Sequence, residues 1–459
     1  MSGCFMLSRL IPFWFALILG PTVALADARQ DCARLSGDAA IAACSQVIRQ
    51  DPGDSRAYYN RGNAYQATGD LDRAIADYGE AIRLDPNGAK AFNNRGYAYQ
   101  AKGDLDRAVA DFDQAIQLDP NYVLAFINRG NAHLAQGDLD HAIADYEQVI
   151  RLDPNEAKAF NNRGYAYQAK GDLDRAIADF DQAIRLDPRY VTAFSNRCAA
   201  YEDNGDPNRA IADCDQAIRL DPNGAKPFIT RGNAYQAKRD FDRAIADYNE
   251  AIRLDPSEAK AIDNRGNAYL AKGDLDRAIA DYGEAIRLDP NEAKAFNNRG
   301  YAYQAKGDLD RAIADFDQAI RLDPKHLLAF INRGAAYQNK GDLDQAIADY
   351  SKAIEISPNS VLPLAGRALA YKAKGEFDRA LADFTKVIEV DPKDAAAYFN
   401  RGLLYHANGD LDRALADFNN AIAFDPKGAA AYYNRGLVYW AKGDLDKAFA
   451  DYNKARELE

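Results

Sequence analysis

Along residues 155–188, NEAKAFNNRGYAYQAKGDLDRAIADFDQAIRLDP, apolar and small side chains fall on two helical stripes. At about 100° per residue, Phe160, Gly164 and Tyr167 share one face of a first helix. Ala176, Phe180 and Ala183 repeat at i, i+4, i+7 in a second. Gly171 suits the left-handed residue that closes the first helix, Asp172 the cap of the second, and Asp187-Pro188 stops it. A lone pair of such helices cannot bury both stripes, so pairs must stack.

The same 34 residues return unchanged at 291–324. Prolines stand at 52, 86, 120, 154, 188, 222, 256, 290, 324, 358, 392 and 426, always 34 apart. Twelve repeats therefore run from Ser55 to Glu459, and positions 1–34 below count within a repeat. Ala holds position 20 in all twelve, and Phe or Tyr holds position 24 in eleven. Small residues at 8 and 20 allow close helix approach, and rings at 4, 11 and 24 fill the space between pairs. Residues 27–54 read as an N-terminal capping half-repeat, because GDAAIAACSQVIRQDP matches a second helix with Cys44 at position 24. Repeats 6 and 10 depart most from the pattern, through Pro227 and Arg239 in one and Pro363, Gly366 and Ala368 in the other, and are expected seams.

This aromatic-x-x-x-Gly-x-x-Tyr, Ala-x-x-x-Phe/Tyr, Pro pattern of period 34 resembles the tetratricopeptide repeat (TPR) family over residues 55–459. The resemblance implies an all-α fold, a right-handed α-solenoid superhelix of stacked antiparallel helix pairs. It also implies a binding scaffold with a concave groove. One departure is Arg at position 7 of every repeat, Arg61 to Arg435, where the family usually has Leu. Position 7 lies about 60° off the packing stripe, so the stem can cover the core edge while the guanidinium meets solvent or an Asp. The Asp at position 23, such as Asp179, is within reach. A ladder of solvated charges is the plainer expectation.

Composition changes the picture little: 47% apolar and 27% charged residues fit a folded chain rather than a disordered one. The first 26 residues matter more. One positive charge (Arg9), an apolar run from Leu10 to Leu19, Gly20-Pro21 and then Ala24-Leu25-Ala26 form the pattern of a cleaved secretory signal peptide. The expected location is periplasmic or secreted, with anchoring in the inner membrane, facing the periplasm, as the alternative. Removing residues 1–26 takes away Arg9 and no acid, so the formal charge moves from −12 to −13. Such a chain repels phosphate backbones and anionic lipid, so nucleic acid and membrane surfaces are not expected partners. Four cysteines remain after processing. Cys198 and Cys214 replace the usual Gly at 8 and aromatic at 24 across one helix pair, and Cys32 and Cys44 sit in the two halves of the cap. Disulfides 32–44 and 198–214 are predicted, with buried free thiols as the alternative.

No catalytic residues are indicated. His133, His141, His326 and His406 fall at positions 11, 19, 34 and 12, with no cysteine at metal-ligand spacing, so no metal and no cofactor are expected. Asp recurs at positions 16, 18, 23 and 31 of nearly every repeat, as caps and solvated faces, and a catalytic pair would have to exist about twelve times over. The chain reads as non-enzymatic: a protein-protein interaction scaffold of the cell envelope whose partner is a protein or peptide, or alternatively a self-assembling structural repeat protein.

In resembling proteins the side of the first helix that carries positions 2, 5, 6, 9 and 13 lines the groove. Positions 5 and 9 vary here and are expected to choose ligand side chains. The Lys at 5 and Arg at 6 of the basic clamp in some relatives occur in no repeat. Asn holds position 6 ten times, as Asn60, Asn94, Asn128, Asn162, Asn196, Asn264, Asn298, Asn332, Asn400 and Asn434, with breaks at Thr230 and Gly366. This resembles the asparagine ladder of the repeat domain of O-linked N-acetylglucosamine transferase, which implies amides that grip the backbone of an extended peptide. On that reading, changing Asn128, Asn162 and Asn196 together to Ala weakens peptide binding while leaving the melting temperature nearly unchanged. Leu369, Phe399, Leu403, Tyr433, Leu437 and Trp440 put large apolar groups on the C-terminal groove positions, as a partner site or an apolar terminal cap. Trp440 is the one tryptophan outside the leader.

Overall fold

The computed structural model describes residues 21–458, with side chains from Asp27 onward. Among the described residues the chain is helix and turn only: 26 helices, from α1 (Pro21–Arg34) and α2 (Gly37–Gln50) to α26 (Leu445–Leu458). The predicted leader lies outside the described residues except for 21–26, which open α1. The described residues divide into two compact blocks, with the boundary between Pro222 and Asn223, where repeat 6 begins. Within each block every helix packs against the one before and the one after it. The N-terminal block holds the α1–α2 pair and repeats 1–5; the C-terminal block holds repeats 6–12.

Local chemistry sets each pair. In repeat 4 the first helix (Ala157–Ala169) ends before Gly171 at φ 80°, and the Asp172 side chain accepts from the Arg175 backbone N–H to start the second helix (Leu173–Leu186). Repeat 6 has Arg239 at that turn, held at φ 60°, a conformation that disfavours a side chain by about 1 kcal/mol. The two helices meet at Gly164, where an added Cβ would lie 2.8 Å from the Phe180 ring and 3.1 Å from the Ala176 carbonyl oxygen. The core runs from pair to pair. Ile143 of repeat 3, Ala166, Tyr167, Ala176 and Phe180 of repeat 4 and Ala200 of repeat 5 form one cluster. In the other block, Leu364, Phe384, Val387 and Leu404 centre a comparable one.

Disulfides join Cys32 to Cys44 and Cys198 to Cys214. In repeat 5 the second bridge stands where other repeats press a ring onto a glycine, so a covalent link replaces a packing contact. Closing a loop of 16 residues restricts the unfolded chain by about 3 kcal/mol. Reduction should lower the stability of repeat 5 by about that amount in urea titrations run with and without dithiothreitol.

The arginines at position 7 are not a solvated ladder. In all twelve repeats Nε and Nη2 bond the two carboxylate oxygens of the Asp at position 23, at 2.6–3.0 Å. Every one of these aspartates is buried. The geometry is the guanidinium fork matched to a carboxylate, which ties the first helix of a repeat to its second. In several repeats Nη1 also reaches back to position 25 of the preceding repeat, as Arg129 does to Asp113, Arg333 to Asp317 and Arg401 to Thr385. Where position 4 carries a ring, it lies under the guanidinium, 5.7 Å from it for Arg163 over Phe160. Sequence spacing underestimated this pair because a side chain 60° off the stripe can lean either way, and only the neighbouring helix decides it.

The capping aspartates make the fold acid-sensitive. Bonds from the Arg175 side chain and backbone hold Asp172 below the ordinary carboxylate value, and the corresponding arginines do the same for Asp70, Asp104, Asp240, Asp274 and Asp308. A carboxyl lowered on folding contributes stability that is present above its unfolded value, near 4, and is lost as pH falls through the folded value. Burial raises Asp263 and Asp349, which act in the opposite sense but are fewer. The urea midpoint should therefore fall between pH 5 and pH 3, and a flat profile would contradict the assignment.

Candidate partner-binding face

Seven of the ten asparagines at position 6 bond sideways, from repeat to repeat, through an acceptor that alternates. Where the preceding repeat has Asn at position 9, that side chain accepts: Asn94 donates to Asn63 at 2.9 Å, Asn162 to Asn131 at 3.2 Å, Asn264 to Asn233 at 2.9 Å, and Asn298 to Asn267 at 3.3 Å. Where the preceding repeat has Asn at position 5, that one accepts instead. Asn128 donates to Asn93 at 2.9 Å, Asn196 to Asn161 at 3.0 Å, and Asn332 to Asn297 at 3.0 Å. Asn60 reaches the Cys32 sulfur at 3.9 Å, and Asn400 and Asn434 bond backbone carbonyls of their own helices. The break at Gly366 has a steric cause, since a Cβ there would sit 2.6 Å from the Tyr350 ring. Thr230, the other break, bonds the Lys226 carbonyl oxygen.

Two kinds of repeat follow, a pattern the sequence reading missed. In repeats 1, 3, 6 and 7, Tyr at position 24 goes with Asn at position 9, whose side-chain oxygen accepts from the tyrosine hydroxyl: Tyr78 to Asn63, Tyr146 to Asn131, Tyr248 to Asn233, Tyr282 to Asn267. Phe at position 24 needs no acceptor, and in repeats 2, 4 and 8 position 9 turns a tyrosine outward, whereas repeats 10 and 11 carry Leu369 and Leu403 there. Tyr97, Tyr165 and Tyr301 are 47%, 43% and 48% exposed. The coupled exchange of Tyr/Asn for Phe/Tyr is visible in the sequence once the repeats are aligned.

Position 5 narrows another expectation. Asn93, Asn161 and Asn297 are buried and accept from the following repeat, so in these repeats the position supports the ladder, whereas Tyr433 at the same position is exposed. Among the position-6 asparagines, Asn128 and Asn196 are also buried, while the other eight are partly exposed. A triple change at Asn128, Asn162 and Asn196 is therefore expected to lower stability rather than spare it, because each donates to a neighbouring repeat.

The C-terminal apolar residues divide. Leu369, Tyr433 and Trp440 are exposed, whereas Phe399 and Leu403 pack against the cluster of Ala414, Phe418 and Val438, and Leu437 is half-buried. Trp440 meets Phe449 edge-on at 6.2 Å. His133 and His141 share repeat 3, with rings 5.3 Å apart, in place of the tyrosine and arginine that meet in most repeats. Among the described residues no cluster could hold a metal ion, and no helix is long and apolar enough to cross a membrane.

Comparison with known proteins agrees with this geometry. A family profile described as tetratricopeptide repeat matches residues 55–87, 89–122, 157–190, 191–223, 225–258, 293–326 and 328–360. A second of that description matches 366–429 and 407–458, and one described as TPR repeat matches 130–171 and 266–307. Similar solved structures include the APC/C hetero-tetramer Cut9-Hcn1, at 15% identity over 92% of this chain and 96% of that one, TM-score 0.47. Yeast Tom70 is 18% identical over 88% of this chain and 95% of that one, TM-score 0.44. MamA is 30% identical over 35% of this chain and 95% of that one, TM-score 0.33. No curated protein matches the sequence. The repeat matches and the helix pairs of both blocks establish that the chain belongs to the tetratricopeptide repeat family, whose scaffold is typical of protein-protein interaction.

Proposed function

We propose that this protein is a non-catalytic scaffold of the cell envelope that binds extended protein segments along the first-helix face of its repeats. The observation that carries the reading is the set of outward tyrosines. Tyr97 and Tyr165 keep large rings in solvent on that face, two repeats apart, beside an amide row already held in place. Amphipathic aromatics of this kind dominate partner contacts. At roughly 10 Å per stacked helix they stand about 20 Å apart, the span of about six extended residues. On this reading the half-exposed Asn94 and Asn162, with their counterparts Asn60, Asn264, Asn298, Asn332, Asn400 and Asn434, contact peptide backbone. Buried Asn128 and Asn196 fix them from behind. Exposed Leu369, Tyr433 and Trp440 offer a second, apolar contact in the C-terminal block. The secretory pattern of residues 1–26 and the two disulfides support an oxidising, extracytoplasmic location.

An array of synthetic 15-residue peptides tests the reading. The protein should bind a subset, and Tyr97→Ala with Tyr165→Ala should weaken that binding by about tenfold or more with no loss of stability. Binding to none of the peptides, or unaltered affinity in the double variant, would reject it.

A further inference from the structure

Thirteen aspartates are buried among the described residues. Twelve stand at position 23, and each holds the arginine fork of its own repeat. Asp263 is the thirteenth, and no guanidinium reaches it. It occupies position 5 of repeat 7, in the helix Ala259–Ala271, where repeats 2, 4 and 8 carry asparagine. Its Oδ1 accepts from the Asn298 amide at 3.2 Å and its Oδ2 from the Asn267 amide at 3.2 Å. The nearest cation, Lys294 Nζ, stays 3.7 Å away on a side chain that is 61% exposed, too far for a charge-assisted hydrogen bond. Burial pushes the Asp263 carboxyl up, against the opposing pull of Lys294 and the two amides.

The carboxylate lines a cavity of about 330 Å³ between repeats 7 and 8. Glu258, Asp289 and Glu292 add three carboxylates to the lining, against two ammonium groups from Lys260 and Lys294. A buried acid, an acidic cavity and a missing guanidinium thus coincide on the face assigned to partner binding.

We propose that this cavity is a subsite for an arginine side chain of the bound protein segment, with Asp263 receiving its guanidinium. The proposal rests on the function inferred above and specifies the partner's chemistry, a basic segment. Arginine is preferred over lysine because two carboxylate oxygens accept its fork together, the pairing this fold makes internally in every repeat. An ammonium is already supplied by Lys294 and does not close on the acid. The net negative charge of the whole chain favours basic partners at long range.

Titrating the purified chain with N-acetyl-arginine methylamide and its uncharged citrulline analogue tests the subsite without requiring a whole peptide. Saturable binding of the arginine compound, at least tenfold tighter than citrulline and lost in Asp263→Asn, is the expected result. Asparagine is native at this position in three other repeats, so that variant retains the fold, and an unchanged melting temperature verifies it. Equal affinity for the two compounds, no binding of either, or an arginine preference that survives Asp263→Asn would overturn the proposal. Scanning one residue of array peptides through Arg, citrulline and Ala separates the two readings. Peptides that bind without arginine preference overturn the subsite and leave the scaffold function standing, whereas an arginine compound that binds while no peptide does supports the subsite and rejects the extended-segment reading.

Discussion

Arg163→Leu should destabilise repeat 4 by about 3 kcal/mol, although leucine is the residue the family usually has at this position. The substitution supplies apolar surface but leaves Asp179, which is buried, without the guanidinium that holds both its oxygens at 2.7 and 2.8 Å. Removing one partner of a buried pair costs about 3–5 kcal/mol, and the lower end applies because the Arg163 side chain keeps partial contact with water. Replacing both, Arg163→Leu with Asp179→Ala, should recover most of the loss, since no charge is then stranded. The double-mutant cycle is best read from hydrogen exchange of the Ala176–Ala183 amides, because stacked repeats open locally. Equal protection in the single and double variants would show that the pair is incidental.

Asn128→Ala with Asn196→Ala should cost about 2–4 kcal/mol. Each removes a donor from a buried amide, Asn93 or Asn161, whose side-chain oxygen then has no replacement in a site closed to water. The two sites are two repeats apart, so their costs should add. Tyr97→Ala with Tyr165→Ala, on exposed rings of the same face, should leave the guanidinium chloride midpoint unchanged. Stability and binding are thereby assigned to different residues. If the asparagine pair proves neutral to stability, the lateral bonds do not hold the stack.

These outcomes also mark what could be read in advance. The helix pairs, their Asp caps and the left-handed turn glycines follow from spacings within one repeat, and so do the glycine facing Phe180 and the Cys198–Cys214 link. The asparagine row was visible as a row, but its bonding was not, because the acceptor for Asn128 lies 35 residues back on another helix. Position 5 was assigned outward for the same reason: a helical wheel gives an angle, whereas burial depends on how closely the next pair is laid against it. For Arg163 and Asp179, 16 residues apart, the sequence offered both partners and left their meeting to the packing.

The two kinds of repeat also make the array a ruler. Either kind presents an acceptor to the asparagine that follows, at position 5 or at position 9, so either can be a neighbour without breaking the lateral chain. Only the Phe-containing kind turns a tyrosine outward. Excising residues 123–156, one whole repeat, would let Asn162 take the Asn93 acceptor that Asn128 now uses. The Tyr97–Tyr165 interval would shorten from about 20 Å to about 10 Å. The order in which the two kinds are strung along the chain thus sets the distance between contact points, and gaining or losing a repeat alters the length of segment the face can measure while the lateral chain stays intact.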